Sequence, residues 1–285
     1  MSAVRLAWST METGTVCYRH PDRETLLGCA TCGKPICIEC AVDTPAGQKC
    51  FECARPAARQ VTARQLLNRP TPVSFGLIGV AVVLFLAPRV VPGLAEPTVQ
   101  WARDLIEQNA AQANWLVADG EWWRVLTAAF LHGSSTHLLF NMWALYVFGP
   151  ELERQIGSST FAVLYLSTAA AGGAAAYFLS AEFTVLVGAS GAIFGLFGVW
   201  LVGSWRVRHT RAGAALYRQL VILLGINAVF SFVVPRISWQ GHLGGFLAGL
   251  VIGYLWGLVP KKTTMNRTAI AAAIGLVALF LVIFV

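Results

Sequence analysis

The sequence predicts an all-α polytopic membrane protein preceded by a small metal-binding domain, and three observations predict it. Of 285 residues, 56% are hydrophobic and only 12% charged, with a mean hydropathy of +0.62. Soluble domains carry about 25% charged residues. From residue 73 onward seven apolar runs follow one another, each close to the roughly 20 residues that a membrane helix needs. All seven cysteines lie between Cys17 and Cys53. The net charge of +7 would fit nucleic acid if it were clustered on a soluble face. Its basic residues instead flank the apolar runs, so no nucleic-acid partner is expected.

Residues 1–16 read as a loose tail. They lack the apolar core of a secretory signal, which places the amino terminus in the cytosol, where thiols stay reduced. Four ligand pairs follow: Cys17-x-x-His20, Cys29-x-x-Cys32, Cys37-x-x-Cys40 and Cys50-x-x-Cys53. The two-residue gap lets both side chains of a pair turn onto one metal. An odd number of cysteines leaves no complete disulfide set, and this spacing favours metal. Structural zinc takes four tetrahedral Cys or His ligands, so these residues would hold two structural zinc ions, with no position open for catalysis. Spacing alone allows sequential or interleaved pairing. So small a domain has little core, and metal binding would supply its folding energy. Its expected role is to bind a protein partner. The pattern over residues 17–53 resembles a B-box-type zinc finger. That resemblance implies interleaving, with Cys17, His20, Cys37 and Cys40 on one ion and Cys29, Cys32, Cys50 and Cys53 on the other.

Residues 54–72 form a linker carrying Arg55, Arg59, Arg64 and Arg69. Their spacing suits a basic helix at an anionic membrane surface, and equally a plain solvated linker. The apolar segments run Val73–Val91, Ser135–Pro150, Phe161–Ser180, Gly188–Trp205, Leu216–Val234, Trp239–Val259 and Thr268–Val285. The long loop 92–134 contains an amphipathic piece, Thr98–Gln108, and then Glu121-Trp-Trp-Arg124. Trp rings beside Arg suit the headgroup level.

Charge sets the orientation. With a cytosolic amino terminus, the inner loops hold Arg154, Arg206, Arg208, Arg211, Arg218, Lys261, Lys262 and Arg267. The outer loops hold Arg103, Arg124 and Arg236, with Arg89 at an edge. This asymmetry agrees with the positive-inside rule. It predicts a multi-pass protein of the plasma (cell inner) membrane with its carboxyl terminus outside. The second, fourth and sixth segments then run from outside to inside. Their first residues include His137, Asn141, Ser190 and His242, so these polar groups share one depth near the outer face.

Polar groups inside membrane helices are costly and usually mark function. Ser190 stands about one turn inside its run. A serine hydroxyl is a weak nucleophile until an adjacent general base activates it, and His242 would be that base. Gly241, Gly245 and Gly249 are spaced four apart, and small residues on that spacing let helix backbones approach closely. Gly188, Gly191, Gly195 and Gly198 answer them on the fourth segment. His137 and Asn141, at i and i+4, share a helix face and can donate to an oxyanion, as can the Ser190 N–H in the first turn. His209 reads as a solvated loop residue.

Together, Gly188-Ala-Ser-Gly191, Gly241-His242, His132-x4-His137-x3-Asn141 and Trp123-Arg124 resemble the rhomboid intramembrane serine proteases over residues 73–260. The resemblance implies a six-helix protease core at 73–260, with residues 261–285 as an added seventh transmembrane helix. It implies a Ser190–His242 dyad without a third acid, and an oxyanion hole of His137, Asn141 and the Ser190 N–H. Phe194 falls where the family often packs an aromatic ring on the catalytic imidazole, although plain core packing would also account for it. His132 falls at a position that organises the loop, and Trp123 and Arg124 match a motif of the first loop. The implied activity is endoproteolysis of transmembrane substrates within the lipid bilayer. Cleavage would fall near the outer face at a small residue, with the fifth segment as lateral gate. The alternative is a non-catalytic rhomboid-like binder of membrane segments; such relatives typically lack the serine or the histidine, and both are present here.

Overall fold

The computed structural model describes residues 15–44, 47–54, 69–90, 109–234, 237–259 and 264–285. The tail 1–14, most of the basic linker, the amphipathic piece Thr98–Gln108, and Arg236, Lys261 and Lys262 lie outside the described residues. The chain divides into two compact units, Met1–Gln65 and Leu66–Val285.

The first unit is built from two antiparallel ribbons. Strand β1 (Val16–Cys17) pairs with β2 (His20–Glu24), and β3 (Ala41–Thr44) pairs with β4 (Gly47–Cys50) in the register Ala41↔Cys50 to Thr44↔Gly47. A single helical turn, Phe51–Ala54, follows. Gly33 has φ +72°, a conformation that suits glycine, and lets the chain turn back after Cys32. The buried cluster consists of Cys17, Cys29, Cys37, Cys40 and Cys50 with one hydrocarbon side chain, Ile36. So little apolar surface does not offset the entropy of ordering the chain.

The second unit contains seven long helices among the described residues. They are α1 (Pro72–Val90), α2 (Ser135–Ile156), α3 (Ser158–Leu179), α4 (Ser190–Arg206), α5 (Arg211–Val233), α6 (Trp239–Trp256) and α7 (Thr264–Phe284). Side-chain caps start three of them. Ser134, Thr210 and Ser238 accept from the N–H groups of His137, Gly213 and Gly241, which satisfies donors that a helix start leaves open. Helices α3, α5 and α7 are long and apolar enough to cross a membrane. The other helices that carry the site are shorter or more polar. Helix α4 has 17 residues, α6 begins with Gln240 and His242, and α2 carries His137 and Asn141 and ends in Glu151, Glu153 and Arg154.

Helix α2 runs six residues past Pro150, the end expected from apolarity. Its buried Glu153 explains the extension. The carboxylate accepts from Val73 N at 3.1 Å, Ser74 N at 2.8 Å, Ser74 Oγ at 2.7 Å and Ser158 Oγ at 2.6 Å. One carboxylate thus caps α1 and ties it to α2 and α3, with its charge spread over four donors. The core gathers Leu145, Phe161, Leu164, Tyr165, Leu196, Leu220 and Ile252. Helix α7 lies along α3, where Thr160 and Thr268 hydroxyls bond at 2.8 Å, and Trp256 Nε1 donates to Arg267 O at 2.9 Å.

Candidate active site and metal clusters

Glycine contacts bring three site helices together. A methyl group added to Gly245 of α6 would collide with Gly191 O of α4, and one on Gly249 would collide with Gly195 O. A methyl on Gly198 would lie 2.6 Å from Phe246 O. The glycine rows therefore form one backbone-to-backbone seam between α4 and α6. Helix α3 closes the third side, because a methyl on Gly172 would lie 2.8 Å from Gly241 O and 3.2 Å from Gly191 Cα. Ser190 precedes Gly191 and His242 follows Gly241, so both flank a point where three helices meet closely.

Ser190 is the first residue of α4 rather than a turn inside it. The chain reaches it through Gly188, whose φ of +133° is a conformation that L side chains rarely adopt. The first helical bond is Ile193 N to Ala189 O, so the N–H of Ser190 has no intrahelical acceptor. A methyl on Gly188 would lie 2.7 Å from His137 Nε2 and 3.8 Å from Ser190 Oγ. His137 and Ser190 thus border one small space that only a glycine leaves open. Asn141 Nδ2 donates one hydrogen to His137 O at 3.0 Å, which leaves its second N–H available.

The His242 ring stacks on Phe194, with centroids 4.1 Å apart and planes 11° from parallel. The hydrogen bond it makes in this structure joins Nδ1 and Ser231 Oγ on α5 at 2.8 Å, not Ser190. Ser231 and Gly172 were not singled out by sequence reasoning. Asn227 and Ser231, at i and i+4 in an otherwise apolar stretch of α5, were the available signal for Ser231. Gly172 sits in the run Ala169–Ala176, where nothing separates a packing glycine from its small neighbours.

The first loop is anchored from within. Arg124 is buried, pairs with Glu121 at 2.6 Å and donates to Ala111 O at 2.8 Å. Burial and pairing place its guanidinium inside the loop, whereas Trp122 and Trp123 remain half-exposed. The short pairing of β5 (Gln112–Ala113) with β6 (Val185–Leu186) ties this loop to the approach to Ser190. His132 packs edge-on to His137 with centroids 5.1 Å apart. Burial, and then the neighbouring His137, push its pKa down to about 4, so it is neutral at pH 7 and packs as an uncharged ring.

In the first unit, the ligand atoms fall into two groups, Cys17, His20, Cys37 and Cys40, and Cys29, Cys32, Cys50 and Cys53, each within 4.8 Å. The grouping is interleaved. His20 Nδ1 lies 3.8 Å from Cys17 Sγ and 3.4 Å from the sulfurs of Cys37 and Cys40. Cys32 and Cys50 sulfurs are 3.8 Å apart. A tetrahedron with metal–sulfur bonds of about 2.3 Å has edges of about 3.8 Å, so both donor sets fit one ion each. All seven thiols are free of disulfides. The backbone N–H of Cys50 holds the Cys29 thiol down at about 6, against the opposing effect of burial, while thiol hydrogen bonds to Cys50 and Cys32 push Cys53 up to about 12. Several thiolates cannot share so small a space without a cation between them.

The family model for the Rhomboid domain matches residues 119–259. The Bacillus subtilis protein named "Putative rhomboid protease YdcA" is 38% identical over 146 residues, which cover 51% of this chain and 72% of that one. Rhomboid protease GluP of the same organism is 36% identical over 164 residues, covering 58% of this chain and 32% of GluP. RHOMBOID-like protein 5 of Arabidopsis thaliana is 34% identical over 155 residues, covering 53% and 49%. The chain thus spans half or less of the latter two relatives.

Proposed function

We propose that this chain, which belongs to the rhomboid family, is an intramembrane serine endopeptidase with Ser190 as nucleophile and His242 as general base. The observation that carries this reading is the contact of Gly191 with Gly241 beside the two side chains. Ser190 Oγ attacks the scissile carbonyl as His242 takes its proton. His242 then returns the proton to the leaving amine, and water releases the acyl group. His137, Asn141 and the Ser190 N–H stabilise the oxyanion, since donors fixed before reaction need no reorganisation. Phe194 holds the imidazole plane. Trp123, Arg124 and His132 shape the loop over the site, and Gly188, Gly191, Gly241 and Gly245 provide the close approach.

The substrates are transmembrane segments of other proteins, cut near the outer face at a small residue. Helix α5 is the gate through which they enter from the bilayer. The protein is a plasma-membrane protein with a cytoplasmic amino terminus and an outer carboxyl terminus. Its protease core spans 73–260, and residues 261–285 add the seventh helix. The deciding experiment is labelling of the detergent-purified protein with a fluorescent fluorophosphonate. Wild type is expected to label, and Ser190→Ala and His242→Ala are not. A folded wild type that stays unlabelled would point instead to a non-catalytic binder of membrane segments.

The domain at 17–53 holds two structural zinc ions, none of them catalytic, and offers a protein partner its docking surface. Zinc ions in such sites contribute about 10–16 kcal/mol to folding. A strong chelator, or Cys29→Ser, is therefore expected to unfold residues 17–53 while the fluorophosphonate reaction continues. The check is metal content, amide exchange in that domain and labelling on one sample. Loss of labelling on mild chelation would refute the independence of the two units.

A further inference from the structure

The base in the proposed dyad has a partner that neither the motif nor the family pattern supplies. Ser231 Oγ donates its hydrogen to Asn227 O at 2.8 Å. A hydroxyl has one proton to donate and lone pairs with which to accept. Its second contact, with His242 Nδ1 at 2.8 Å, therefore places the hydrogen on Nδ1, and the tautomer left has its lone pair on Nε2. The nitrogen that is bonded decides which nitrogen is basic. Phe194 fixes the plane of the ring, but stacking leaves rotation within that plane free. Only a directional bond fixes it.

The bond also crosses between helices. Ser231 belongs to α5, in which the buried residues are Gly213, Leu220 and Ser231 alone. Leu220 is the one fully buried large side chain of this helix in the core, with Leu216, Leu223 and Leu224 packed half-buried against it. The side chains Ile222, Ile226, Val229, Phe230 and Val233 are exposed, and Phe232 stacks on Trp239 of α6 with centroids 5.7 Å apart. A helix with so few buried residues moves at less cost than its neighbours in the core, and its displacement breaks the bond to His242.

Building on the dyad reading above, we infer that Ser231 is a positioning residue for His242: it fixes the imidazole as the Nδ1–H tautomer and makes the orientation of the base depend on α5 being docked. The hydroxyl on the entry helix thus takes the orienting role that a carboxylate has in soluble serine proteases. When α5 swings out, the base is released, and it is set again when the helix returns over a bound segment.

The test combines fluorophosphonate labelling rates with 15N NMR of histidine-labelled protein in detergent, the His242 signal being assigned with His242→Ala. In wild type His242 is expected to show Nδ1–H. In Ser231→Ala the signal is expected to shift toward a mixture of tautomers, with labelling slowed about tenfold, the fold-change that one neutral hydrogen bond is worth. Leu220→Ala, which loosens α5 far from the ring, is expected to slow labelling in wild type and to add nothing in Ser231→Ala. Wild-type labelling in Ser231→Ala would overturn the inference, as would slow labelling with an unchanged tautomer. Additive slowing in the double variant would overturn the coupling to α5. Failure of wild type itself to label would instead remove the dyad reading on which the inference stands.

Discussion

Ser190→Ala is expected to lower cleavage of a single-span substrate in liposomes at least about 10,000-fold, because removing the nucleophile of a serine protease removes the covalent route altogether. His137→Ala, which takes away one oxyanion donor, is expected to cost only about 100- to 1,000-fold. The ordering separates the roles, since a residue that merely packs could not match the loss of the nucleophile. Ser190 is half-buried at the start of α4 and lies outside the buried core, so the thermal midpoint of Ser190→Ala should stay near that of wild type. Cleavage by Ser190→Ala at the wild-type rate would sink the assignment of the nucleophile.

Gly245→Ala is expected to have the second largest effect. Its methyl would be driven into Gly191 O, and backbone cannot rotate away as a long side chain can. Relief requires α4 and α6 to separate, so the substitution should cost about 1–3 kcal/mol of stability as an overpacked core does. Separation also shifts Ser190 against His242, and a misplacement of about 1 Å can cost on the order of 100-fold in rate. Gly249→Ala, one turn further along the same seam, should destabilise similarly. Gly225→Ala on α5, where nothing lies within 4 Å, is the control and should be neutral. Thermal unfolding in detergent and labelling rate together decide the matter. An unaltered midpoint and rate for Gly245→Ala would mean that the seam relaxes freely and does not place the dyad.

Much of this arrangement is legible in the linear chain because the chemistry demands particular spacings. A metal pair needs its C-x-x-C gap, so the eight candidate ligands from Cys17 to Cys53 could be read directly. Apolarity sustained over helix length marked all seven helices, and the glycine rows at 188–198 and 241–249 marked a close helix contact. Family membership followed from several motifs in order.

What the sequence determined by itself is therefore local: which residues could serve as ligands, which runs are helices, and which polar groups stand near the ends of α2, α4 and α6. Tertiary structure alone decided which of these groups meet. Interleaving of the two Cys/His clusters depends on how the ribbons fold back, which spacing leaves open. Glu153 lies beyond the apolar run that marked α2, and only packing shows its carboxylate capping α1 from 79 and 80 positions away. Arg124 looked like a headgroup residue by composition, yet its burial depends on Glu121 and the Ala111 carbonyl curling around it. His242 bonds Ser231 rather than Ser190 because α5 packs beside the start of α6, and such a contact is a property of two surfaces together, not of either helix alone.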